Sequence, residues 1–249
     1  MAGRFFKLSK LKAMNKGKVG RYLLYALGEI ILVVAGILIA LQINNANEQR
    51  KQDAELTAIL LNIKADLVTD TTVAGRIIPV YEQREKLADS IVAGKFTREG
   101  FQTCGLCHAL ITSYAPFKIN DKGYAQLRNF NQTTDSKDTI AVEISQFYNY
   151  FIDFVSEVGD RVEADTYTTL ENWRDTQPWF NAIMSGSLND EYLDYISQSE
   201  EFKNRVAYHN IIAYKNFLPI LRQYKIQATE ALAMINSRVG EDLVEDGDE

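Results

Sequence analysis

A short cysteine–histidine segment is the part of this sequence whose residue types and spacing point most directly to chemistry. The chain has two cysteines and two histidines, and three of these four residues lie within Cys104-Gly105-Leu106-Cys107-His108. In c-type haem proteins this spacing lets two thiols form thioether bonds to the haem while the adjacent histidine binds the iron. A distal iron ligand would also be needed, and residues of suitable type occur elsewhere in the chain: His209, Met184 and Met234.

The same segment has two interpretations that need no cofactor. Phe101, Leu110 and Ile111 place it on an apolar helix face, where buried cysteine and histidine are ordinary core residues. Alternatively, the two thiols form a local disulfide between Cys104 and Cys107, as thiols do in an oxidising compartment. A thioredoxin-like activity would need a βαβ pattern, and a zinc site would need more ligands than cysteine and histidine supply here. We predict no cofactor and no metal, and the alternative is a haem held by Cys104, Cys107, His108 and His209.

A single carboxylate interrupts the longest apolar run of the chain. Glu29 is the only acidic or basic residue in residues 22–43, and a charged side chain at the centre of a membrane helix costs about 3 kcal/mol on insertion scales. At helical spacing Glu29 shares one face with Gly36 and Ala40, a small-xxx-small pattern that lets another helix approach closely. We therefore predict a membrane-helix interface formed by these three residues. The alternative is that Glu29, about two helical turns from Tyr22, reaches the inner headgroups.

The apolar run has the length and composition of a membrane-spanning helix. About 20 apolar residues at helical rise cross a hydrocarbon core of about 30 Å, and lipid requires a helix because it offers no hydrogen-bond partners. A cleaved signal peptide would have a shorter apolar core and a small residue two positions before the terminal alanine. Neither Ala40 nor Ala46 has such a residue. We predict a retained transmembrane helix at residues 22–43.

The distribution of charge predicts the orientation of that helix. Residues 1–21 carry seven basic and no acidic residues, whereas residues 44–64 carry three basic residues. Because basic residues favour the cytoplasmic side, we predict a cytoplasmic tail at residues 1–21 and an outer domain at the inner membrane. The whole chain carries −6, of which residues 1–21 contribute +7 and Glu29 −1, so residues 30–249 carry −12. An acidic outer domain repels phosphate backbones, which makes nucleic acid an unsuitable partner.

Residues 44–240 have the pattern of an all-α domain. An apolar stripe at helical spacing follows the membrane segment: Leu56, Leu60, Ile63 and Leu67. A second helix is predicted to start at Pro79, since proline is favoured in a first turn. A third helix is predicted to end at Ser113 and to begin at Thr97 or Phe101.

The second half of the domain continues the helical pattern. A short helix around Leu127 precedes a long one over residues 139–173, whose apolar face suits a bundle core: Ile144, Phe147, Phe151, Phe154, Val155 and Val158. The last long helix, residues 200–237, tolerates Pro219 only as a kink. Residues 241–249 are predicted to be an acidic disordered tail. The predicted fold class is therefore all-α, with one N-terminal transmembrane helix and an extracytoplasmic helical bundle.

No catalytic constellation is recognisable in the sequence. The chain has no G-x-S-x-G turn, no glycine-rich phosphate loop and no HExxH motif. Acidic residues are plentiful, but on amphipathic helices they are usually solvated. We predict that the protein is not an enzyme and has no catalytic residues.

Two stretches of the sequence carry a family resemblance. They are YLLYALGEIILVVAGILIALQINNANEQRK, residues 22–51, and PFKINDKGYAQLRNF, residues 116–130, and together they make up about a fifth of the chain. Both resemble an uncharacterised family of single-pass membrane proteins of Bacteroidota. Ala46 departs from that family, which carries a tryptophan there, so an interfacial anchor is lost. The resemblance implies an inner-membrane protein with a periplasmic helical domain, and it implies no reaction.

Together these features predict a membrane-anchored periplasmic helical module that works by interaction. The face with Glu29 predicts a homo-oligomer or attachment to another membrane protein. The alternative, of a different class, is a membrane-anchored monohaem c-type cytochrome that passes electrons at the outer face.

Overall fold

The computed structural model describes the backbone of residues 5–130 and 139–245 and the side chains of residues 20–130 and 139–240. This part of the chain is helical and contains no β-strand, so the all-α prediction is confirmed. Its α-helices are α1 (Phe5–Val92), α2 (Arg98–Thr103), α3 (Gly105–His108), α4 (Lys122–Asn129), α5 (Ile140–Thr176), α6 (Phe180–Met184), α7 (Asp190–Gln198), α8 (Glu200–His209) and α9 (Leu218–Glu245). The chain divides into two compact units, residues 1–55 and 56–249.

The first unit contains a helical segment that suits a membrane. Within α1, from Gly20 onward, the chain is long and apolar enough to cross a bilayer, and none of its most apolar stretch of 18 residues is buried. Every side chain from residue 21 to residue 51 is exposed. A core helix of a soluble domain would bury such a surface, because contiguous exposed apolar area is rare in soluble proteins.

The two ends of the chain are described only in part. Helix α1 begins at Phe5, within the predicted cytoplasmic tail. Helix α9 ends at Glu245, within the predicted acidic tail at residues 241–249, and residues 246–249 lie outside the described residues.

Helix α1 continues through Pro79, so the prediction of a separate helix starting there is wrong. Pro79 lacks the N–H that would bond to the Gly75 carbonyl, a loss that ordinarily breaks a helix. The Pro79 side chain is exposed, whereas its neighbours Ile77 and Tyr81 are buried in the core. Packing of these neighbours therefore holds the helix together across the missing hydrogen bond.

The predicted third helix begins as expected and ends early. Thr97 caps α2, because its hydroxyl oxygen accepts a hydrogen bond from the Gly100 N–H at 3.2 Å. The backbone leaves the helical conformation at Cys104 (φ −95°, ψ 86°), which separates α2 from the single turn α3. Gly105 follows directly and favours such a break, since glycine is a poor helix former. The prediction that this helix runs on to Ser113 is therefore wrong.

A π-helical segment, Asn210–Phe217, connects α8 to α9. At its end the Leu218 N–H donates to the Ala213 carbonyl, five residues earlier in the chain. Pro219 follows at once, and it has no N–H and a ring that crowds the preceding turn. The wider π turn accommodates that ring, so Pro219 is tolerated through a change of helical period.

An extended segment, residues 113–121, lies against α1 and forms a strap. Its first end is fixed by hydrogen bonds to two α1 side chains. The Arg84 Nη1 donates to the Ser113 carbonyl at 2.8 Å, and the Ala115 N–H donates to the Tyr81 hydroxyl at 3.1 Å. The strap therefore runs antiparallel to α1 from the level of Arg84.

Asp70 fixes the other end of the strap from inside the core. Its side chain is only 1% exposed. It accepts hydrogen bonds from the Asn120 N–H at 3.0 Å, from the Asn120 side-chain amide and from the Tyr224 hydroxyl at 2.7 Å. Burial raises the pKa of Asp70, while the hydrogen bond from Tyr224 acts in the opposite direction. This carboxylate thereby ties together α1, the strap and α9.

Gly123 brings α4 into direct contact with the α1 backbone, just after the strap. Its N–H donates to the Asp66 carboxylate at 2.8 Å. A Cβ atom added at Gly123 would lie 2.6 Å from the backbone nitrogen of Ile63, closer than real Cβ atoms approach. The close packing of α4 on α1 therefore requires glycine at this position.

The core is formed by one side of α5 packed against the π segment and α9. The predicted apolar face is buried at Ile144, Phe147, Phe151 and Val155, as is the predicted α1 stripe. Phe154 is 42% exposed, so its prediction as a core residue is wrong. The buried stripe passes through Tyr148 instead, which stacks on Tyr124 with ring centroids 4.6 Å apart.

Candidate functional site

The CxxCH segment is folded as a closed turn. Cys104 and Cys107 are joined by a disulfide, with Cα atoms 5.4 Å apart. Cys107 is buried in the core, and Cys104 packs against that core from a half-buried position. Haem attachment would consume the same two sulfur atoms in thioether bonds. The disulfide and an attached haem are therefore mutually exclusive states of this segment.

His108 points toward α7. Its Nδ1 lies 3.1 Å from the Tyr192 hydroxyl, and the two ring centroids are 5.5 Å apart. Burial lowers the pKa of His108, and a hydrogen bond to the Phe101 backbone partly offsets that effect. The imidazole is therefore neutral near pH 7, which suits a packed core position.

The residues predicted as distal iron ligands lie in differing surroundings. His209 is 1% exposed, and its Nδ1 lies 2.7 Å from the Asp165 carboxylate. Met184 is 52% exposed at the end of α6, and Met234 packs against the core. Among the residues that the structure describes, no group of three His, Cys, Asp or Glu side chains is arranged to hold a metal ion. His108 and His209 each have a hydrogen-bond partner of their own.

We expect the purified protein to be colourless, even when it is produced together with a haem-attachment system. The reason is that Cys104 and Cys107 form a disulfide with each other and His108 is packed against Tyr192. An absorbance scan for a Soret band and a haem-peroxidase stain of a denaturing gel are the measurements. Cys104→Ser/Cys107→Ser should lower the melting temperature and leave the spectrum unchanged. A covalently bound haem would instead establish the cytochrome alternative, with His209 the first distal ligand to replace.

The predicted membrane-helix interface lies on the exposed part of α1. Glu29, Gly36 and Ala40 are all exposed. A Cβ atom added at Gly36 would meet no other atom within 4 Å. The small side chains therefore leave this face of the helix open to close approach.

A cavity of about 170 Å³ lies between the strap and α5, and the sequence had not indicated it. Tyr81 of α1 and Phe217 of the π segment line it, with ring centroids 5.9 Å apart. Phe117 and Val155 add apolar wall from the strap and from α5. The walls come from four separate elements, which no local pattern could show. The one available signal was the apolar–polar–apolar order at residues 117–119, typical of an extended segment packed on one side.

One edge of the cavity is polar. The charged lining residues are Lys118, Asp160 and Glu163, two carboxylates and one ammonium group. Lys118 and Asp160 are exposed and Glu163 is half-buried, so these groups lie at the open side of the cavity. Tyr114 lies at the same edge, and its hydrogen bond to the Glu163 carboxylate raises the pKa of Tyr114. The edge therefore carries a net negative charge beside an aromatic hydroxyl.

Gly159 contributes to the open space of the cavity. It lies on α5 opposite Phe217, and an added Cβ atom would lie 3.6 Å from the edge of that ring, an ordinary contact distance. The absence of a side chain at Gly159 thus leaves room in front of Phe217. The π segment sets the position of that ring, since π turns displace the residues that follow them.

Comparison with known proteins adds one finding. Residues 29–95 match a family described as "Family of unknown function (DUF6090)". The matched range includes the Glu29 face and the α1 residues that hold the strap. No curated protein matches the chain, and no solved structure matches it. The match agrees with the resemblance to an uncharacterised family, and it carries no reaction with it.

Proposed function

We propose that this protein is a non-enzymatic, membrane-anchored helical module that works by interaction at the inner membrane. Residues 1–21 lie in the cytoplasm, residues 22–43 span the bilayer, and residues 44–240 form a periplasmic domain. The module acts in a homo-oligomer or beside another membrane protein. The family resemblance supports a bacterium of the Bacteroidota as its source.

The exposed apolar segment of α1 carries this proposal. It is long and apolar enough to cross a membrane, and its side chains from residue 21 to residue 51 are exposed. Lipid supplies the apolar surroundings that such a surface requires, and the helix satisfies its own backbone hydrogen bonds there. The seven basic residues in residues 1–21 support the orientation.

We expect alkaline phosphatase fused after Glu249 to be active in cells, because that enzyme folds only outside the cytoplasm. A matched fusion to green fluorescent protein should be dark, because green fluorescent protein does not become fluorescent when it is translocated across the membrane together with this domain. Enzyme activity and fluorescence are measured on cells with equal amounts of fusion protein. A silent phosphatase fusion together with a bright fluorescent one would reverse the proposed topology.

We expect Gly36→Ile to weaken self-association or partner association of the anchor by about tenfold. A branched side chain at Gly36 holds a neighbouring helix away and removes the close packing on which small-xxx-small contacts depend. A membrane two-hybrid assay with the full chain measures the association. Leu38→Ile is the control, because Leu38 lies off the Glu29 face and the replacement keeps volume and apolarity.

The two variants separate an interface from a simple anchor. Loss for Gly36→Ile with an unchanged Leu38→Ile supports a helix contact at the Glu29 face. Equal association of both variants with the parent would assign residues 22–43 to anchoring alone.

A further inference from the structure

We propose that the cavity between the strap and α5 is a binding site for a small aromatic amine. The site goes beyond membrane anchoring and oligomer formation, and it does not depend on either. All of its lining residues belong to the second compact unit, so the anchor takes no part in it.

The size of the cavity fits a single ring. Its volume is about 170 Å³, and an engineered apolar cavity of about 150 Å³ in another protein holds one benzene molecule. Tyr81, Phe117, Val155 and Phe217 line it with apolar surface. A ring buried against these side chains exchanges water for close apolar contact, which favours binding.

The walls of the cavity are held in place before any ligand binds. Hydrogen bonds to α1 fix the strap on both sides of Phe117: Ala115 bonds to Tyr81, and Asn120 bonds to Asp70. Phe117 also packs edge-on against Tyr224, with ring centroids 5.3 Å apart. Pre-formed sites lose less entropy on binding than sites that must be ordered by their ligand.

The polar edge selects the charge of the ligand. Asp160 and Glu163 supply two negative charges there, and Lys118 supplies one positive charge. Tyr114 adds a ring at the same edge, and aromatic rings attract cations. A ligand whose ring enters the cavity therefore leaves its substituent beside net negative charge, which favours an ammonium group over a hydroxyl or a carboxylate. The excess of negative charge in residues 30–249 attracts cations from a longer distance.

Three probes of one shape test the proposal: benzylamine, benzyl alcohol and benzoate. The full chain is placed in phosphatidylcholine nanodiscs at pH 7, and dissociation constants are taken from titrations followed by saturation-transfer NMR. Benzylamine should bind about threefold more tightly than benzyl alcohol, because a partly exposed ion pair contributes modestly. Benzoate should bind most weakly of the three.

Variants of α5 locate the bound probe. Gly159→Leu should fill the space in front of Phe217 and abolish binding of all three probes, whereas Gly159→Ala keeps a bound ring. Ser156→Phe occludes the cavity from an exposed lining position and leaves the core packing alone. Since the probes partition equally into the lipid of every sample, the difference between variants reports the cavity.

A charge variant tests the polar edge by itself. Glu163→Gln should reduce the preference for benzylamine over benzyl alcohol from about threefold to about equal binding. Glu171→Gln, an exposed position further along α5, is the matched control and should keep the threefold preference.

Two results would overturn the proposal. The first is equal binding of benzylamine to the parent and to both occluding variants, with folding verified by circular dichroism. The second is tighter binding of benzoate than of benzylamine, which would assign the cavity to an anion. Neither result bears on the phosphatase fusion, so the anchored topology is judged separately.

Discussion

Replacing Gly123 by alanine should lower the free energy of unfolding by about 3 kcal/mol. The new Cβ atom would lie 2.6 Å from the Ile63 backbone nitrogen and 2.8 Å from the Ile63 Cα, so α4 must move away from α1. That movement also lengthens the hydrogen bond between the Gly123 N–H and Asp66. Overpacking of a core position typically costs about 1–3 kcal/mol, and a rigid backbone obstacle belongs at the upper end.

Urea unfolding of the full chain in detergent, followed by the fluorescence of the buried Trp173 and Trp179, measures this effect. Gly105→Ala is the matched control, because a Cβ atom there meets nothing within 4 Å. It should remain within about 1 kcal/mol of the parent. Equal stability of the two variants would mean that α4 does not pack on α1 at Ile63.

Replacing Asp70 by alanine should also cost about 3 kcal/mol. The change leaves the Asn120 N–H, the Asn120 amide and the Tyr224 hydroxyl without their acceptor. An unsatisfied buried donor costs about 1–3 kcal/mol. Part of this is offset, because burial raises the pKa of Asp70 and so opposes its charged form. The net loss is therefore smaller than the three penalties together.

The same unfolding measurement includes two comparison variants. Tyr224→Phe removes one of the three donors and should cost about 1.5 kcal/mol. Asp153→Ala removes an exposed carboxylate on α5 and should change stability by less than about 0.5 kcal/mol. If Asp70→Ala were as stable as Asp153→Ala, Asp70 would not hold the strap.

Helical periodicity predicted the elements that depend on local pattern. The stripe from Leu56 to Leu67 and most of the α5 face are buried as expected, because residues at this spacing meet on one side of a helix. The prediction that Phe154 is buried was wrong, because the buried stripe of α5 is narrower than the apolar face seen in the sequence. The prediction of a new helix at Pro79 was wrong for a different reason. Proline favours a helix end, but tertiary packing keeps α1 continuous through this position.

The strap and the cavity could not be predicted from local pattern. In the sequence Asp66 and Asp70 look like solvated helix carboxylates. Their partners, Gly123 and Asn120, lie 57 and 50 positions later in the chain, beyond the reach of any local pattern. Gly123 looks like a turn glycine, although its role is set by the distance to Ile63. The CxxCH spacing is equally suited to a disulfide or a haem, because both need two nearby thiols. Three-dimensional packing decides among such alternatives.

The arrangement of the strap has a consequence for the order in which the domain folds. The contacts that the strap, and Gly123 just after it, make with α1 are nested, with sequence separations of 29, 34, 50 and 57 residues from Arg84–Ser113 to Asp66–Gly123. Each doubling of the length of a flexible loop adds only about 0.6 kcal/mol to the entropic cost of closing it. Once an inner contact has formed, however, it shortens the loop that the next outer contact must close. The Arg84–Ser113 contact closes the shortest loop, so we expect it to form first and the other contacts to follow in order along α1. The buried Asp70 carboxylate then bonds to Asn120 and loses its water only after the contacts at Arg84 and Tyr81 have formed.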